Sequence, residues 1–311
     1  MTSLICGSLA FDTIMAFHGR FSEALLADQL HKINVAFLVP SLRREYGGCA
    51  GNIAYNLKLL DGEPLIMATL GQDGDGYLQR LKALGISERC VRSVPASYTA
   101  QAFITTDAAS NQITAFHPGA MAYSHENRIA DAGPVKLAII APDGRDGMLE
   151  HARDCAELKV PFIFDPGQGL PMFDGADLRQ FIELATYVAV NDYEGELLTE
   201  RTGLSLEQIA QRVEALVVTR GEHGAHIFTG GKRIDVPCVP VNQVVDPTGC
   251  GDAFRAGMLY GLTHEMDWAT TGRLASLMGS IKITHQGGQN HAPSVAEIQE
   301  RFQQAFGYRY A

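Results

Sequence analysis

The chain has 311 residues, of which 46% are hydrophobic and 19% charged, and a formal net charge of −10. Those values suit a globular protein with a real core, and the acidic balance argues against nucleic acid as a partner, because phosphate neutralisation needs clustered Lys and Arg. No stretch approaches the ~18 apolar residues that span a bilayer. The six cysteines (Cys6, Cys49, Cys90, Cys155, Cys238 and Cys250) form no C-x-x-C pair, so free thiols in a reducing compartment are expected. The N-terminus lacks the basic and apolar regions of a signal peptide, and a cytoplasmic protein is expected. No Pro- or Ser-rich linker and no repeat divides the chain, so residues 1–311 are read as one domain.

In chain order, the first strand is Leu4–Cys6, followed by Gly7-Ser8-Leu9-Ala10-Phe11-Asp12, where Asp12 alone reads as a turn acid. Ile33–Tyr46 is β-rich without a helix. Gly47-Gly48 permit close backbone approach before a helix over Asn52–Leu60, with Ile53, Leu57 and Leu60 on one face. Glycine turns before helices are common, so that segment is weak by itself. A strand at Leu65–Leu70 leads into Gly71-Gln72-Asp73-Gly74-Asp75-Gly76, which lacks the later acids of a calcium loop. Tyr98–His117 reads as a hairpin about the turn Asp107–Asn111. Strands follow at Leu137–Ala141, Pro161–Phe164, Tyr187–Val190 and Leu216–Thr219, and helical patterns at Ala253–Leu262 and Val295–Phe306. Strands alternating with helices imply βαβ units and a mainly parallel sheet covered on both faces. The two β-rich pieces break that rhythm and suit a small sheet over the ligand-binding end of the large one.

Asn191 and Glu194 open the helix after the strand Tyr187–Val190, at capping-box spacing. Thr219-Arg220-Gly221-Glu222-His223-Gly224 closes the next strand with two glycines; Arg220 reads either as a phosphate contact or as a solvated loop residue. The most informative segment is Val244-Val245-Asp246-Pro247-Thr248-Gly249-Cys250-Gly251-Asp252, which leads into an amphipathic helix. The N–H groups of Gly249, Cys250 and Gly251 are expected to be free donors at a helix start, a ready anion site. Asp252 beside them is either a first-turn acid that complements the helix dipole or a base next to the anion. A cysteine at a helix start also raises the expectation of a lowered thiol pKa, and of alkylation at Cys250 that bound ATP would block.

The segment DPTGCGD resembles the D-T-x-G-A-G-D signature of ribokinase-like carbohydrate kinases, the phosphofructokinase-B type, and GGCAGNIA resembles their G-G-x-x-x-N-x-A signature. Pro247 and Cys250 depart from the usual Thr and Ala. The resemblance implies a ribokinase-like α/β fold with a lid from residues of about 13–46 and 98–120. It also implies an ATP-dependent kinase acting on an alcohol group, with Asp252 as base and Gly249, Cys250 and Gly251 as anion hole. Asp12, Gly47, Gly48 and Asn52 would hold sugar hydroxyls. Asn191 and Glu194 would organise Mg²⁺ through water. Asn191, Thr219, Arg220, Gly221 and Gly224 would serve the nucleotide, with Asn290 in the adenine loop of residues 283–290. A monovalent cation such as K⁺ would lie between that loop and the Asp246 turn, as in some relatives.

The hairpin and the Asp165-Pro166-Gly167-Gln168-Gly169 turn resemble those of adenosine- and nucleoside-kinase-like members, which implies Gln168, Phe103 and Phe116 at the nucleoside. The two Phe residues read equally as lid packing. A ribokinase- or fructokinase-type sugar kinase is the near alternative, and a non-catalytic ligand-binding regulator the remote one. The partners expected are a small nucleoside or sugar and ATP, with no nucleic acid and no membrane. The resemblance leaves both a monomer and a homodimer paired through the lid open.

Overall fold

The structure, a computed structural model, describes residues 1–25, 34–109 and 111–310. Ile33, the rest of 26–33 in the expected first lid segment, and Ser110 in the expected hairpin turn lie outside the described residues. The elements begin with β1 (Thr2–Cys6), β2 (Ala10–Ala16), α1 (Phe21–Ala24), β3 (Ser41–Gly47), α2 (Cys49–Leu59), β4 (Glu63–Gly71), α3 (Asp75–Ala83) and β5 (Ser87–Val94). Next come β6 (Ala100–Thr106), β7 (Gln112–His117), β8 (Leu137–Ile140), α4 (Arg145–Glu157), β9 (Phe162–Phe164), α5 (Gly175–Leu184) and β10 (Tyr187–Asn191). The chain closes with α6 (Asp192–Thr202), α7 (Leu206–Ala210), β11 (Ala215–Thr219), β12 (Ala225–Thr229), β13 (Lys232–Val236), α8 (Cys250–Thr263), α9 (Trp268–Ile283) and α10 (Val295–Phe306).

Nine strands form one sheet in the order β13-β12-β11-β10-β9-β8-β1-β4-β5. From β11 to β5 neighbouring strands run parallel, and β12 and β13 add an antiparallel edge. The strands are apolar throughout because both faces are covered. Ile5, Ile139, Ile163, Ala189 and Val217 face α2 and α8, where Ile53, Leu57, Met258 and Leu259 meet them. Their alternates Leu4, Ile140, Phe164, Val188 and Leu216 face α4, α5 and α6, against Met148, Phe181 and Leu198. Helix α10 closes the far side by seating Ile298 and Phe302 on Leu274 and Met278 of α9.

The order of strands reverses at β1. The chain leaves β1 for β4 and β5 on one side and returns through β8 on the other. In open parallel sheets the crevice beyond the carboxyl ends of the strands at such a reversal is where ligands bind.

Four strands make a second sheet, ordered β3-β2-β6-β7, above that crevice. β2 had not been expected as a strand; Asp12 sits within it rather than in a turn. Asp73 bolts the small sheet to the large one. Its carboxylate accepts from the Thr99 N–H at 2.7 Å and from the Arg44 guanidinium at 3.0 Å. Arg44 also lies over the Phe11 ring, 3.6 Å from its centroid.

Candidate active site

Two cavities meet below the small sheet. The first, about 620 Å³, is lined among others by Asp12, Gly48, Asn52, Phe116, Gln168 and Gly249. The second, about 390 Å³, is lined by Asp165, Asn191, Glu194, Thr219, Gly221 and Arg255. Gly251 and Asp252 line both, as do Cys49, Pro142 and Gln168, so the first turn of α8 forms part of the wall between them.

That turn is built by Gly249, which ends the preceding loop at φ +76°, a left-handed conformation costly for any residue with a Cβ. Asp252 follows on the first turn of α8. The Asn52 amide donates to Asp252 Oδ2 at 2.8 Å, joining α2 to α8 across the cleft. Asn52 is held in turn by Gln289, whose amide donates to Asn52 Oδ1 at 3.2 Å and to the Tyr77 hydroxyl at 3.1 Å. Gly48 starts α2 at φ +84°, and a Cβ there would lie 2.4 Å from the Ser8 carbonyl oxygen. The close approach of this turn to the end of β1 is what aims α2 and Asn52 at the cavity.

The electrostatics of the site are set by crowded carboxylates. Asp252 is partly reached by solvent at the cleft floor yet surrounded by protein, and burial pushes its pKa up to about 7. The charges of Asp165 and Asp12 add to that rise, and the Asn52 hydrogen bond and Arg255 oppose it. Asp12 is raised to about 6 by burial and by neighbouring Glu45 and Asp246. Arg255 is buried and donates to Asp165 Oδ1 at 2.9 Å, with Glu194 Oε2 at 4.0 Å. Burial raises the pKa of Asp165 and of Glu194, against the pull of Arg255. One guanidinium thus serves three carboxylates, which leaves the second cavity with an anionic wall.

Asn191 and Glu194 form a complete capping box at the start of α6. The Glu194 N–H donates to Asn191 Oδ1 at 2.7 Å, and the Asn191 N–H donates to Glu194 Oε2 at 2.8 Å. Both side chains also line the second cavity, so the cap faces the site.

The model of the pfkB family carbohydrate kinases matches residues 9–295 of this sequence. The chain belongs to that family. It is therefore an ATP-dependent kinase that acts on a hydroxyl group. A nucleoside kinase of Burkholderia thailandensis, solved with inosine, is 59% identical and superposes with a TM-score of 0.90 over 99% of both chains. The same protein has been solved in complex with ADP-inosine, at 60% identity and a TM-score of 0.88 over 99% of this chain and 97% of that one. A nucleoside kinase of Methanocaldococcus jannaschii is 30% identical over 87% of this chain and 89% of its own.

Several residues expected at the kinase site do not line either cavity. Phe103 is on β6, where it alternates with Ala102. Ala102 pairs with both Asp12 and Phe116 and lines the first cavity with them. Phe103 therefore points to the outer face of the small sheet, 41% exposed. Arg220 turns away from the second cavity and lies 2.7 Å from His226 Nε2. Gly224, at φ +78°, packs under the Val236 carbonyl of β13. The Asn290 amide donates to Glu45 of the small sheet and to the Gln286 carbonyl, both at 2.9 Å, and no residue from 283–290 is among those lining the second cavity. Gly47 is buried against the Asp12 carboxylate, where a Cβ would lie 2.5 Å from Asp12 Oδ2, and its carbonyl accepts from the Tyr77 hydroxyl at 2.7 Å.

Cys250 differs from expectation in two respects. Its N–H is not free but donates to the Pro247 carbonyl at 3.1 Å. Burial, which outweighs the nearby Lys282, pushes its thiol pKa up to about 11, rather than down as a helix start alone would.

Arg255, Gln289 and Tyr77 are site-building residues that sequence reasoning missed. The one available signal was Arg255 as a single charge inside the apolar run Ala253–Leu262.

Proposed function

We propose that the protein phosphorylates the 5′-hydroxyl of a nucleoside, adenosine or a broader set, with the nucleoside in the first cavity and ATP in the second. The observation that carries this is the position of Asp252 and Gly251 on the wall shared by two cavities of unequal character. The lining of the first cavity combines polar groups, Asp12 and Asn52 among them, with apolar Phe116, Met121 and Met172. That combination suits a ribose and a flat base. The nucleoside kinases found among the relatives support the same assignment over a free-sugar acceptor, which would leave the apolar side chains uncovered.

In this reading, Asp12 accepts from two vicinal ribose hydroxyls, and Asn52 fixes the sugar beside the base. Asp252 takes the 5′-hydroxyl proton as that oxygen bonds to the γ-phosphorus; the bond from the γ-phosphorus to the β–γ bridging oxygen breaks, and ADP leaves. The α8 N-terminus at Gly249 and Gly251 stabilises the charge that develops on the transferring group. Thr219, Gly221 and Asn191 line the nucleotide's cavity, and Gln168 bridges both cavities, with its amide 3.3 Å from Cys49 Sγ.

The second cavity fits a hydrated Mg²⁺ that arrives with ATP. Its wall carries Asp165, Glu194 and Asp252 against one guanidinium, and among the described residues no group of three His, Cys, Asp or Glu could grip a bare ion. Asn191 and Glu194 would hold such an ion through its waters. Bound there, Mg²⁺ neutralises charge across the phosphates.

We also infer that the small sheets of two copies can pair. The outer face exposes Leu42, Phe103 and Ile113, an apolar strip of the kind that marks interfaces. Sedimentation equilibrium would reveal the dimer; a monomer at every concentration would contradict it.

The test of the assignment is Asp252→Asn. The amide keeps the shape and the Asn52 contact but cannot accept the proton. Turnover is expected to fall about 10³-fold while ATP affinity changes by less than about threefold. Near-normal turnover would remove Asp252 as the base.

A further inference from the structure

Lys282 is fully buried at the end of α9, beneath the loop that carries the α8 N-terminus. A lysine in that position normally meets a carboxylate. This one has no ion-pair partner among the described residues. Its ammonium donates instead to two backbone carbonyls, Asp246 O at 2.7 Å and His285 O at 2.9 Å. The Asp246 carboxylate is engaged elsewhere, accepting from the Thr248 N–H at 2.9 Å and the Gly287 N–H at 2.8 Å. The same turn is tied to the end of α9 by Val245 and Asp246 N–H bonds to the Ile283 carbonyl, at 2.9 and 3.1 Å.

Everything this clamp fixes leads to the reacting groups. The Asp246 turn runs directly into Gly249, whose Cα faces Gly288 so closely that a Cβ there would sit 3.2 Å from it. Gln289, next along, holds Asn52, and Asn52 holds Asp252. Carbonyl oxygens converging from two loops are how proteins hold a desolvated monovalent cation. Here that place is filled by a cation that belongs to the chain, so the residues present do not fit an added K⁺.

We propose that Lys282 is a positioning residue that acts as a tethered monovalent cation: its ammonium locks the Asp246 turn to the 285–289 loop, and turnover is independent of K⁺. Burial lowers its pKa, as it does for any desolvated ammonium, while the neighbouring Asp246 favours the charged form. This inference rests on the kinase reading of the site but not on the identity of the acceptor.

The experiment compares wild type with Lys282→Ala and Lys282→Met, using whichever acceptor is turned over best. Each is assayed at constant ionic strength in chloride salts of tetramethylammonium, Na⁺, K⁺ and NH₄⁺. Wild-type kcat is expected to vary less than twofold. The variants should lose about 10- to 100-fold in kcat with a smaller change in nucleoside KM. K⁺ or NH₄⁺, but not tetramethylammonium, should restore at least fivefold to Lys282→Ala and raise its Tm by several degrees, leaving wild-type Tm unmoved. Wild-type activation of more than fivefold by K⁺ would overturn the proposal, even if neither variant folds. So would a folded variant with wild-type kcat, or a loss that no small cation restores in activity or Tm. Failure of every acceptor would instead count against the proposed function.

Discussion

Asp252 carries a proton when the empty site is below about pH 7, because burial and the charges of Asp165 and Asp12 disfavour its ionised form. A protonated carboxyl cannot accept the hydroxyl proton, so activity must rise with pH. The account predicts that kcat/KM for nucleoside climbs about tenfold per pH unit below about 7 and levels above it. Asp12, raised to about 6, must also ionise to accept two hydroxyls, so the slope should steepen below about pH 6. A pH–rate profile of the free enzyme checks both limbs, and a flat profile from pH 5 to 8 would mean that neither carboxylate acts as described. A second pair of residues separates pocket from surface. Phe116→Ala should raise nucleoside KM roughly tenfold, the loss of one aromatic face. Phe103→Ala should leave KM within about twofold, since Phe103 lies on the opposite face of the sheet. Steady-state kinetics on the two variants decide the matter, and equal effects would contradict the register.

At the scale of elements, helix α2 is aimed by its first turn. Gly48→Ala would place a Cβ at φ +84° against the Ser8 and Ala10 backbone. A left-handed non-glycine residue alone costs about 1–2 kcal/mol, and the clash adds to it. The variant is expected to lose several degrees of Tm and most turnover, because α2 carries Asn52; calorimetry and kinetics measure the two losses. Normal stability and turnover would show that the turn relaxes without moving α2. The strands Leu4–Cys6, Leu65–Leu70, Leu137–Ala141 and Leu216–Thr219 were legible because a strand buried on both faces is a continuous apolar run. β2 was not, since Ala10–Ala16 mixes Asp12 and Thr13 with apolar residues and has one face over a polar cavity. The same mixture hid which of the two Phe residues faces inward. Strand existence followed from composition, but facing depends on register, which pairing with Asp12 decides.

At the scale of the whole molecule, the local motifs were readable because each is a turn whose backbone chemistry is written in consecutive residues: Gly48 before α2, Gly249 to Asp252 at α8, Asn191 to Glu194 at α6. What was not readable is what those turns touch. Asn52 meets Asp252, Arg255 meets Asp165, and Asn290 meets Glu45 across long separations in the chain. Glycine-rich loops such as 283–290 carry no side-chain pattern that says which cavity they border, and this one supports the substrate side through Gln289. The separation of two cavities, in part by one helix turn, is likewise a property of the closed fold. The central claim is that the first cavity selects a nucleoside, and the direct measurement is ATP- and Mg²⁺-dependent phosphorylation by purified protein of adenosine, inosine, guanosine, cytidine, ribose and fructose. The account predicts kcat/KM for the best nucleoside at least about 100-fold above either free sugar, the worth of covering the apolar lining of the cavity. A free sugar turned over as well as any nucleoside would contradict it.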